Sequence, residues 1–244
     1  MSMKKILITG ANRGIGIELT IQYLNAGEFV IATCRNPENS EKLNGLKKIH
    51  NSKLLIVQMD VSNEDSIIES VSKVRKEINS IDLLINNAGT NSEQEKGLLT
   101  LDMNDMKRVF SVNTFGPVII SKHYLGLLSK GENPIIVNIF SSMGFITNRE
   151  FESNAQYSYG ASKAALNMCI KYMAADLKEK GISVIGLGPG FVLTDLTRNS
   201  PVVPSLTPEE SVKNMIQVLK NVTLEDTGRF FENDGRKVED IVNY

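Results

Sequence analysis

The first indication of the fold is the stretch Thr9-Gly10-Ala11-Asn12-Arg13-Gly14-Ile15-Gly16, which joins a short β-branched run to a segment with helical spacing. The run before it, Lys5–Thr9, is predicted to be a buried strand, and Gly14–Ala26 is predicted to be a helix. At such a junction Gly10 permits a tight turn, Gly14 lets the backbone approach a phosphate, and Gly16 allows the helix to pack closely on the strand. The free N–H groups and positive dipole end of the helix then face the phosphates. The stretch therefore predicts nucleotide binding.

Strand and helix signals alternate along the rest of the chain. Further strands are predicted at Phe29–Thr33, Leu54–Met59, Ile81–Ile85, Ile135–Phe140, Ser183–Leu187 and Gly228–Phe231. Further helices are predicted over Asp65–Ile78, much of Met103–Leu128, Ala155–Lys180 and Pro208–Asn221. This alternation indicates βαβ units with right-handed crossovers. The expected fold is α/β, a Rossmann-type doubly wound parallel sheet of about seven strands flanked by helices on both faces. Residues 1–244 contain no recognisable linker or repeat and are interpreted as a single domain.

Composition excludes several classes of function. Apolar residues make up 41% of the chain, charged residues 23%, and the net charge is -1, so no general attraction to nucleic acid or to an anionic membrane is expected. No run of 18 apolar residues is present, which predicts no membrane span. The sparse cysteines and histidines predict neither a disulfide framework nor a metal site. The apolar run at the N-terminus is too short for a signal peptide, so a cytoplasmic location is expected.

A tyrosine and a lysine share one face of the long predicted helix. Tyr159-Gly160-Ala161-Ser162-Lys163 places them four residues apart, a spacing at which helix side chains are neighbours. A nearby ammonium favours the phenolate and lowers the tyrosine pKa, and proton transfer is most efficient when the pKa lies near the working pH. Tyr157 and Tyr172 have no such partner, because Ala161 and Asp176 stand four residues after them. The pair predicts a proton donor or acceptor with an adjusted pKa.

Taken together, the motifs resemble the short-chain dehydrogenase/reductase family across nearly the whole chain. They occur in the family's order: the glycine turn, Asn86-Asn87-Ala88-Gly89, Asn113, a serine after the fifth predicted strand, Tyr159 with Lys163, and Pro189-Gly190. The resemblance implies hydride transfer between a nicotinamide and a carbonyl or alcohol. It implies that Tyr159 protonates the carbonyl oxygen during reduction, that Lys163 lowers the tyrosine pKa and binds the nicotinamide ribose, and that Asn113 supports a water-linked proton relay to Lys163.

Two adjacent serines compete for the remaining catalytic role. The resemblance implies a serine hydroxyl that polarises the carbonyl, three residues before a glycine, and counting back from Gly144 favours Ser141 over Ser142. More residues separate Ser141 from Tyr159 than in many family members. The extra residues fall around Asn148–Asn154, where a surface loop near the substrate mouth is expected.

The resemblance also implies a set of cofactor contacts. These are Gly10, Asn12, Arg13, Gly14, Ile15, Gly16, Arg35, Asp60, Val61, Asn87, Ala88, Gly89, Tyr159, Lys163, Pro189, Gly190, Val192 and Thr194. NAD-selective sites carry an acid near the end of the second strand. Here Ile31–Asn36 holds no acid, and Arg35 can bind a 2′-phosphate, with Arg13 approaching from the glycine turn. NADP(H) is therefore the predicted cofactor.

The function predicted on this basis is NADP(H)-dependent reduction of a ketone or aldehyde. Ala32–Pro37, Ser162–Asn167 and Thr223–Gly228 resemble the C-factor and sniffer-type carbonyl reductases, so an alternative is a C-factor-like signalling or regulatory protein that binds NADP(H). The expected partner is a small-molecule carbonyl substrate, and a homodimer, a homotetramer and a monomer all remain open. Phe191–Thr207 lacks clear periodicity and is a candidate lid. Residues flanking the catalytic positions are candidate pocket residues: Met143, Phe145, Phe151, Phe191 and Leu193.

Overall fold

Seven strands form one parallel sheet in the computed structural model, which describes residues 3–92, 94–146, 156–198, 200 and 202–238. The strands are β1 (Lys5–Thr9), β2 (Phe29–Cys34), β3 (Leu54–Gln58), β4 (Leu83–Asn86), β5 (Ile135–Ile139), β6 (Ser183–Leu187) and β7 (Phe230–Phe231). Their order across the sheet is β3-β2-β1-β4-β5-β6-β7, and each neighbouring pair is parallel. The predicted Rossmann-type sheet is confirmed.

Helices cover both faces of this sheet. They are α1 (Gly14–Asn25), α2 (Glu41–Ile49), α3 (Glu64–Glu77), α4 (Met103–Phe110), α5 (Gly116–Leu128), α6 (Tyr157–Lys178) and α7 (Pro208–Leu219). Alternate side chains of β1 point to opposite layers: Leu7 packs in the cluster with α3, α5 and α6, and Ile6 and Ile8 pack in the cluster with α1, α2 and α7. Both faces of the sheet are therefore buried, as parallel sheets require. None of the helices in the described ranges is long and apolar enough to cross a bilayer.

Local signals explain where several helices begin and end. The Asn63 side chain accepts a hydrogen bond from the Ser66 N–H at the start of α3. Thr207 and Glu210 form a capping box at the start of α7, which satisfies two N–H groups that the helix leaves free. Gly181, with φ +69, follows α6 and takes the left-handed conformation that ends a helix most easily on glycine.

Most predicted boundaries agree with the structure to within two residues, and the exceptions have physical causes. Helix α2 was not predicted, because it is short and Leu43 is its one fully buried residue. Ile81 was predicted in the fourth strand, which is wrong, since its N–H bonds to Leu127 O at the end of α5 rather than to the sheet. Helix α6 ends at Lys178 instead of Lys180, and its predicted first residue, Ala155, lies outside the described residues, as does the predicted loop Asn148–Asn154.

The order of the strands reverses between β1 and β4, and this places the candidate functional residues at one edge. The chain leaves β1 toward β2 and β3 on one side, and then β4 to β7 extend the sheet on the other side. The glycine turn, Asn87, Ser141 and Pro189 all follow the carboxyl ends of strands at this point. In open α/β sheets, ligands bind in the crevice at such a switch point.

Candidate active site

The glycine turn brings the first helix against the first strand at a distance that only glycine tolerates. Gly10 and Gly14 have φ values of +63 and +53, in the left-handed region. A Cβ on Gly16 would overlap the carbonyl oxygen of Gly10 and lie 2.6 Å from Asn87 Nδ2. No side chain within the described residues caps the first turn of α1, and no acid lies in that turn. The N–H groups of the turn are therefore available for an anion.

Asn87 and Ala88 join the ends of β1 and β4. Thr9 Oγ1 accepts hydrogen bonds from the N–H groups of Asn87 and Ala88, each at 3.0 Å, and Asn87 Nδ2 donates to Thr9 O at 2.8 Å. A Cβ on Gly10 would lie 3.0 Å from Ala88 Cα, so the two loops are in direct contact. The amide of Asn87 thus holds the floor of the crevice together, and sequence reasoning assigned it to the cofactor without finding its partner Thr9.

Ser141, Tyr159 and Lys163 lie together where β5 meets the start of α6. The Ser141 hydroxyl lies near enough to the Tyr159 phenol to influence its pKa, and it accepts a hydrogen bond from the Met143 N–H at 3.3 Å. Lys163 Nζ donates to Ile139 O at 2.7 Å and lies 5.8 Å from the centroid of the Tyr159 ring. The other candidate serine, Ser142, is exposed and begins the short 3-10 turn that Ser141 caps. The structure therefore brings Ser141, and not Ser142, to the tyrosine.

The electrostatics of this group follow from its burial. Burial raises the pKa of the Tyr159 phenol, and the nearby Ser141 hydroxyl opposes that rise. Burial also lowers the pKa of the Lys163 ammonium to about 8. The net shift of the Tyr159 pKa is therefore upward, and its lowering by Lys163 stays a prediction. The physical reason is that desolvation penalises the charged form of each group, and the ammonium is held against Ile139 O.

Asn113 is fully buried in a π-helical turn, Ser111–Phe115, that joins α4 to α5. Its Oδ1 accepts from the Thr90 N–H at 2.9 Å, and its Nδ2 donates to Thr90 O at 2.9 Å and to Ser162 Oγ at 3.0 Å. Both amide hydrogens are used by these contacts, and the water-linked relay from Asn113 to Lys163 stays a prediction. Ser162 Oγ in turn donates to Tyr159 O at 2.7 Å, which makes Asn113 a support of the tyrosine's helix turn.

The predicted cofactor residues after β1, β2 and β3 differ in their exposure and in their contacts. Arg35 is exposed directly after β2. Arg13 is exposed in the glycine turn, and its Nη1 lies 3.6 Å from Asp195 Oδ2, an exposed ion pair that contributes little stability. Asp60 Oδ1 accepts from the N–H and the hydroxyl of Ser62, at 2.9 and 2.6 Å. The Val61 carbonyl lies 2.7 Å from the position that a Cβ on Gly116 would occupy, so this loop packs against the start of α5.

The candidate lid folds back on itself over the glycine turn. Val192 and Leu206 form an isolated bridge, and Leu193 N donates to Leu206 O at 2.9 Å. Thr194 approaches the turn so closely that a Cβ on Gly14 would lie 3.5 Å from Thr194 Cγ2. Thr194, one of the predicted cofactor contacts, is thus adjacent to the glycine turn. Opening and closing of this segment stays a prediction.

The base of the lid is fixed by contacts behind it. Ser211 Oγ donates to Pro189 O at 2.6 Å, which ties the end of β6 to α7. Gly190 has φ +76, and a Cβ there would lie 2.8 Å from Leu206 Cδ1. Any other residue at this position would be both strained and crowded.

Of the candidate pocket residues, Phe145 was placed wrongly. Its ring packs edge-to-face against Phe140 and Phe230, with centroids 5.5 Å apart in each pair, and it belongs to the core. Leu193 is exposed, Met143 and Phe191 are partly exposed, and Phe151 lies outside the described residues. Ile146 was not predicted, yet its exposed side chain follows the Ser142–Gly144 turn beside the site.

Comparison with known proteins agrees with this geometry. The family profile described as short chain dehydrogenase matches residues 4–202. A short chain dehydrogenase of Penicillium aethiopicum is 34% identical over 248 residues, covering 96% of this chain and 98% of that protein. The C-signal protein of Myxococcus xanthus is 34% identical over 158 residues, covering 65% of this chain and 92% of that protein.

Two solved structures superpose on nearly the whole chain. An NADPH-bound carbonyl reductase from chicken fatty liver has a TM-score of 0.87 and 31% identity, covering 97% of this chain and 99% of that one. The carbonyl reductase Sniffer of Drosophila melanogaster has a TM-score of 0.88 and 28% identity, with the same coverage. These structures share the fold described above.

Proposed function

Because the chain belongs to the short-chain dehydrogenase family, we propose that it is an NADP(H)-dependent carbonyl reductase that converts a ketone or aldehyde to an alcohol. The observation that carries the proposal is the grouping of Ser141, Tyr159 and Lys163 beside the glycine-lined crevice. Residues 1–244 act in this proposal as one catalytic domain built on the single sheet.

The crevice fits a dinucleotide phosphate. Gly16 leaves no room for a side chain, Gly14 has a positive φ, and helix α1 begins without a side-chain cap. The exposed Arg35 and the absence of an acid between Ile31 and Asn36 suit a 2′-phosphate. Bound NADPH would supply the hydride. The presence of NADPH and NADP in related structures supports the same choice.

The three catalytic side chains then have distinct tasks. Burial keeps the Tyr159 phenol protonated at neutral pH, which is the form that donates a proton to a carbonyl oxygen. In this proposal the Ser141 hydroxyl, which lies near that phenol, donates to the same oxygen and stabilises its developing charge. The Lys163 ammonium, anchored on Ile139 O, offsets the charge that remains on the phenolate after proton transfer.

The substrate and the assembly are part of the proposal. Exposed Ile146 and Leu193 flank the catalytic group and favour a carbonyl compound with an apolar body. Exposed apolar side chains in and beside α5 and α6 (Phe115, Met168 and Tyr172) favour a homodimer or homotetramer, which sedimentation equilibrium would measure. The free thiols of Cys34 and Cys169 support a reducing, cytoplasmic location.

Similarity to the C-signal protein supports one alternative, a signalling or regulatory protein that binds NADP(H) without substantial turnover. Both functions use the same crevice, so binding of NADPH does not distinguish them. Turnover does, because a regulatory protein would bind NADPH and leave aldehydes and ketones unreduced.

The test is reduction of a panel of aromatic and aliphatic aldehydes and ketones by the purified protein, followed as NADPH absorbance. Tyr159→Phe removes the acidic proton and keeps the ring, so kcat is expected to fall at least about 100-fold. The Kd for NADPH should stay within about threefold, because the phenyl ring still fills the site. Tyr157→Phe is the matched control, since Tyr157 lies in the same turn and is exposed. A Tyr159→Phe enzyme with turnover within about threefold of the wild type would contradict the role of Tyr159.

A further inference from the structure

The catalytic helix begins without a cap of its own. Helix α6 starts at Tyr157, and Gly160 is the first residue whose N–H bonds back to the preceding chain, at Gln156 O. Within the described residues, the N-cap Gln156 makes no side-chain capping bond, and the first turn contains no acid. Tyr159 therefore stands in a turn whose N–H groups need partners from elsewhere.

A carboxylate from a distant loop supplies one such partner. Glu95 follows β4 by nine residues, and its Oε2 accepts from the Ser158 N–H at 3.1 Å and from the Ser158 hydroxyl at 2.5 Å. Its Oε1 lies 3.3 Å from the same N–H. Ser158 is 1% exposed and directly precedes Tyr159. The carboxylate also lies at the positive end of the α6 dipole, where negative charge is favourable.

The loop that carries Glu95 is itself fixed at several points. Arg108 on α4 donates to Thr90 Oγ1 and to Asn91 O, at 2.9 and 2.8 Å. Asn91 Nδ2 donates to Gln156 Oε1 at 2.9 Å, which is a second bond from this loop to the start of α6. Ser92 Oγ accepts from the Glu95 N–H at 3.1 Å. Hydrogen bonds to α4 and to the start of α6 therefore hold the loop that carries the Glu95 carboxylate.

Tyr159 is consequently held by two routes that begin in the same loop. One route runs from Glu95 to Ser158, the residue before the tyrosine. The other runs from Thr90 through Asn113 and Ser162 to Tyr159 O, as described above. Together they fix the first turn of α6 relative to the sheet edge, where β5 presents Ser141.

We propose that Glu95 is a positioning residue for the reaction, which holds the first turn of α6 so that the Tyr159 phenol meets Ser141 and the carbonyl oxygen. The proposal rests on the proposed function, because it assigns no contact between Glu95 and substrate. A misplacement of about 1 Å in a proton donor can cost about 100-fold in rate. Loss of the carboxylate should therefore lower kcat far more than it changes cofactor binding.

The experiment compares Glu95→Ala with Glu95→Gln in the full-length protein. Glu95→Ala is expected to lower kcat at least about tenfold while the KM for NADPH stays within about twofold. Glu95→Gln should retain at least about one third of the activity, because its amide oxygen can still accept from the Ser158 N–H and hydroxyl. Gln94→Ala, an exposed position in the same loop, is the matched control and should behave as the wild type.

Two further measurements separate positioning from a general loss of stability. With NADPH deuterated at the transferred hydrogen, the isotope effect on kcat should increase in Glu95→Ala, because the misaligned site makes the chemical step more rate-limiting. The double variant Glu95→Ala with Ser158→Ala should lose no more activity than the worse single variant, since Ser158→Ala removes only the hydroxyl contact that Glu95→Ala already removes. Thermal melts of each variant show whether the loss of kcat exceeds the loss expected from the fraction of unfolded protein.

The outcomes distinguish this proposal from the proposed function. Glu95→Ala with wild-type kcat, measured beside an inactive Tyr159→Phe, would overturn the role of Glu95 alone. Wild-type kcat in both Glu95→Ala and Tyr159→Phe would overturn the role of Glu95 and the proposed function together. Equal losses of kcat in Glu95→Gln and Glu95→Ala would also overturn the proposal, because Glu95 is proposed to act through its hydrogen bonds to Ser158 and not through its charge alone.

Discussion

Replacement of Lys163 by methionine should make the protein more stable at neutral pH while it removes turnover. Lys163 is 5% exposed, and burial lowers its pKa from 10.5 to about 8. A shift of that size corresponds to about 3 kcal/mol of destabilisation of the charged form. Methionine fills a similar volume without a charge, but Ile139 O then loses its donor, which costs about 1–2 kcal/mol. The net expected gain is about 1–2 kcal/mol, or roughly 3–6 °C in Tm for a chain of this length.

The dependence of this stability gain on pH identifies the buried charge of Lys163 as its cause. Below pH 8 the lysine is protonated in both the folded and the unfolded protein, so the full penalty for burying the charge is present. Between pH 8 and 10.5 the folded protein releases its proton first, and the unfolded protein binds more protons. The stability of the wild type relative to Lys163→Met therefore rises with pH across that window. The advantage of the variant should be largest at pH 7 and should shrink toward pH 10.

The assay is urea unfolding of both proteins at pH 7 and at pH 10, followed by circular dichroism. Lys73→Met is the control, because Lys73 is an exposed lysine within α3 and its replacement should change stability by no more than about 0.5 kcal/mol at either pH. A Lys163→Met protein that is less stable than the wild type at pH 7 would refute the reasoning. So would a stability difference that is the same at both pH values. Gain of stability with loss of activity is the trade-off expected of a strained catalytic group.

Two other substitutions test the assignments at the crevice. Ser141→Ala should lower kcat/KM at least about 100-fold and Ser142→Ala by less than about threefold, because Ser141, unlike the exposed Ser142, lies near the Tyr159 phenol; steady-state kinetics that reverse this order would exclude Ser141. Wild-type protein should prefer NADPH over NADH by at least about tenfold in kcat/KM, and Arg35→Asp should shrink or invert that preference through repulsion of the 2′-phosphate. Equal use of both cofactors by the wild type would contradict the role given to Arg35.

The fold was predictable because its signals are local. The glycine turn, the β-branched runs and Gly181 each act within a few residues of their own position, and the parallel sheet follows from the alternation of such segments. Helix α2 escaped prediction because it is nine residues long and Leu43 is its one buried residue. Ile81 looked like a strand residue because it is apolar and fully buried, yet its partner is the end of α5.

The support of the site could not be predicted, because it depends on pairs far apart in the chain. Glu95 and Ser158 are separated by 63 residues, and Thr9 and Asn87 by 78. Nothing in the residues around Glu95 marks it, since a glutamate in a polar loop is ordinarily solvated. Asn113 was predicted to belong to the site, but its hydrogen bonds to Thr90 and Ser162 could not be predicted, because residue type and order do not determine which partners a buried amide meets.

The same limit applies to the electrostatics of the catalytic pair. A spacing of four residues predicts that Tyr159 and Lys163 are neighbours, and they are, but burial acts on both and favours the neutral form of each. In the proposed reaction the phenol gives its proton to a carbonyl oxygen, and the phenolate left behind would favour the ammonium beside it and raise the pKa of Lys163. The phenolate and the ammonium would then stabilise each other, because burying either charge alone costs more free energy than burying the two as a pair. A pH profile of turnover then reports values that belong to the pair and to neither residue singly.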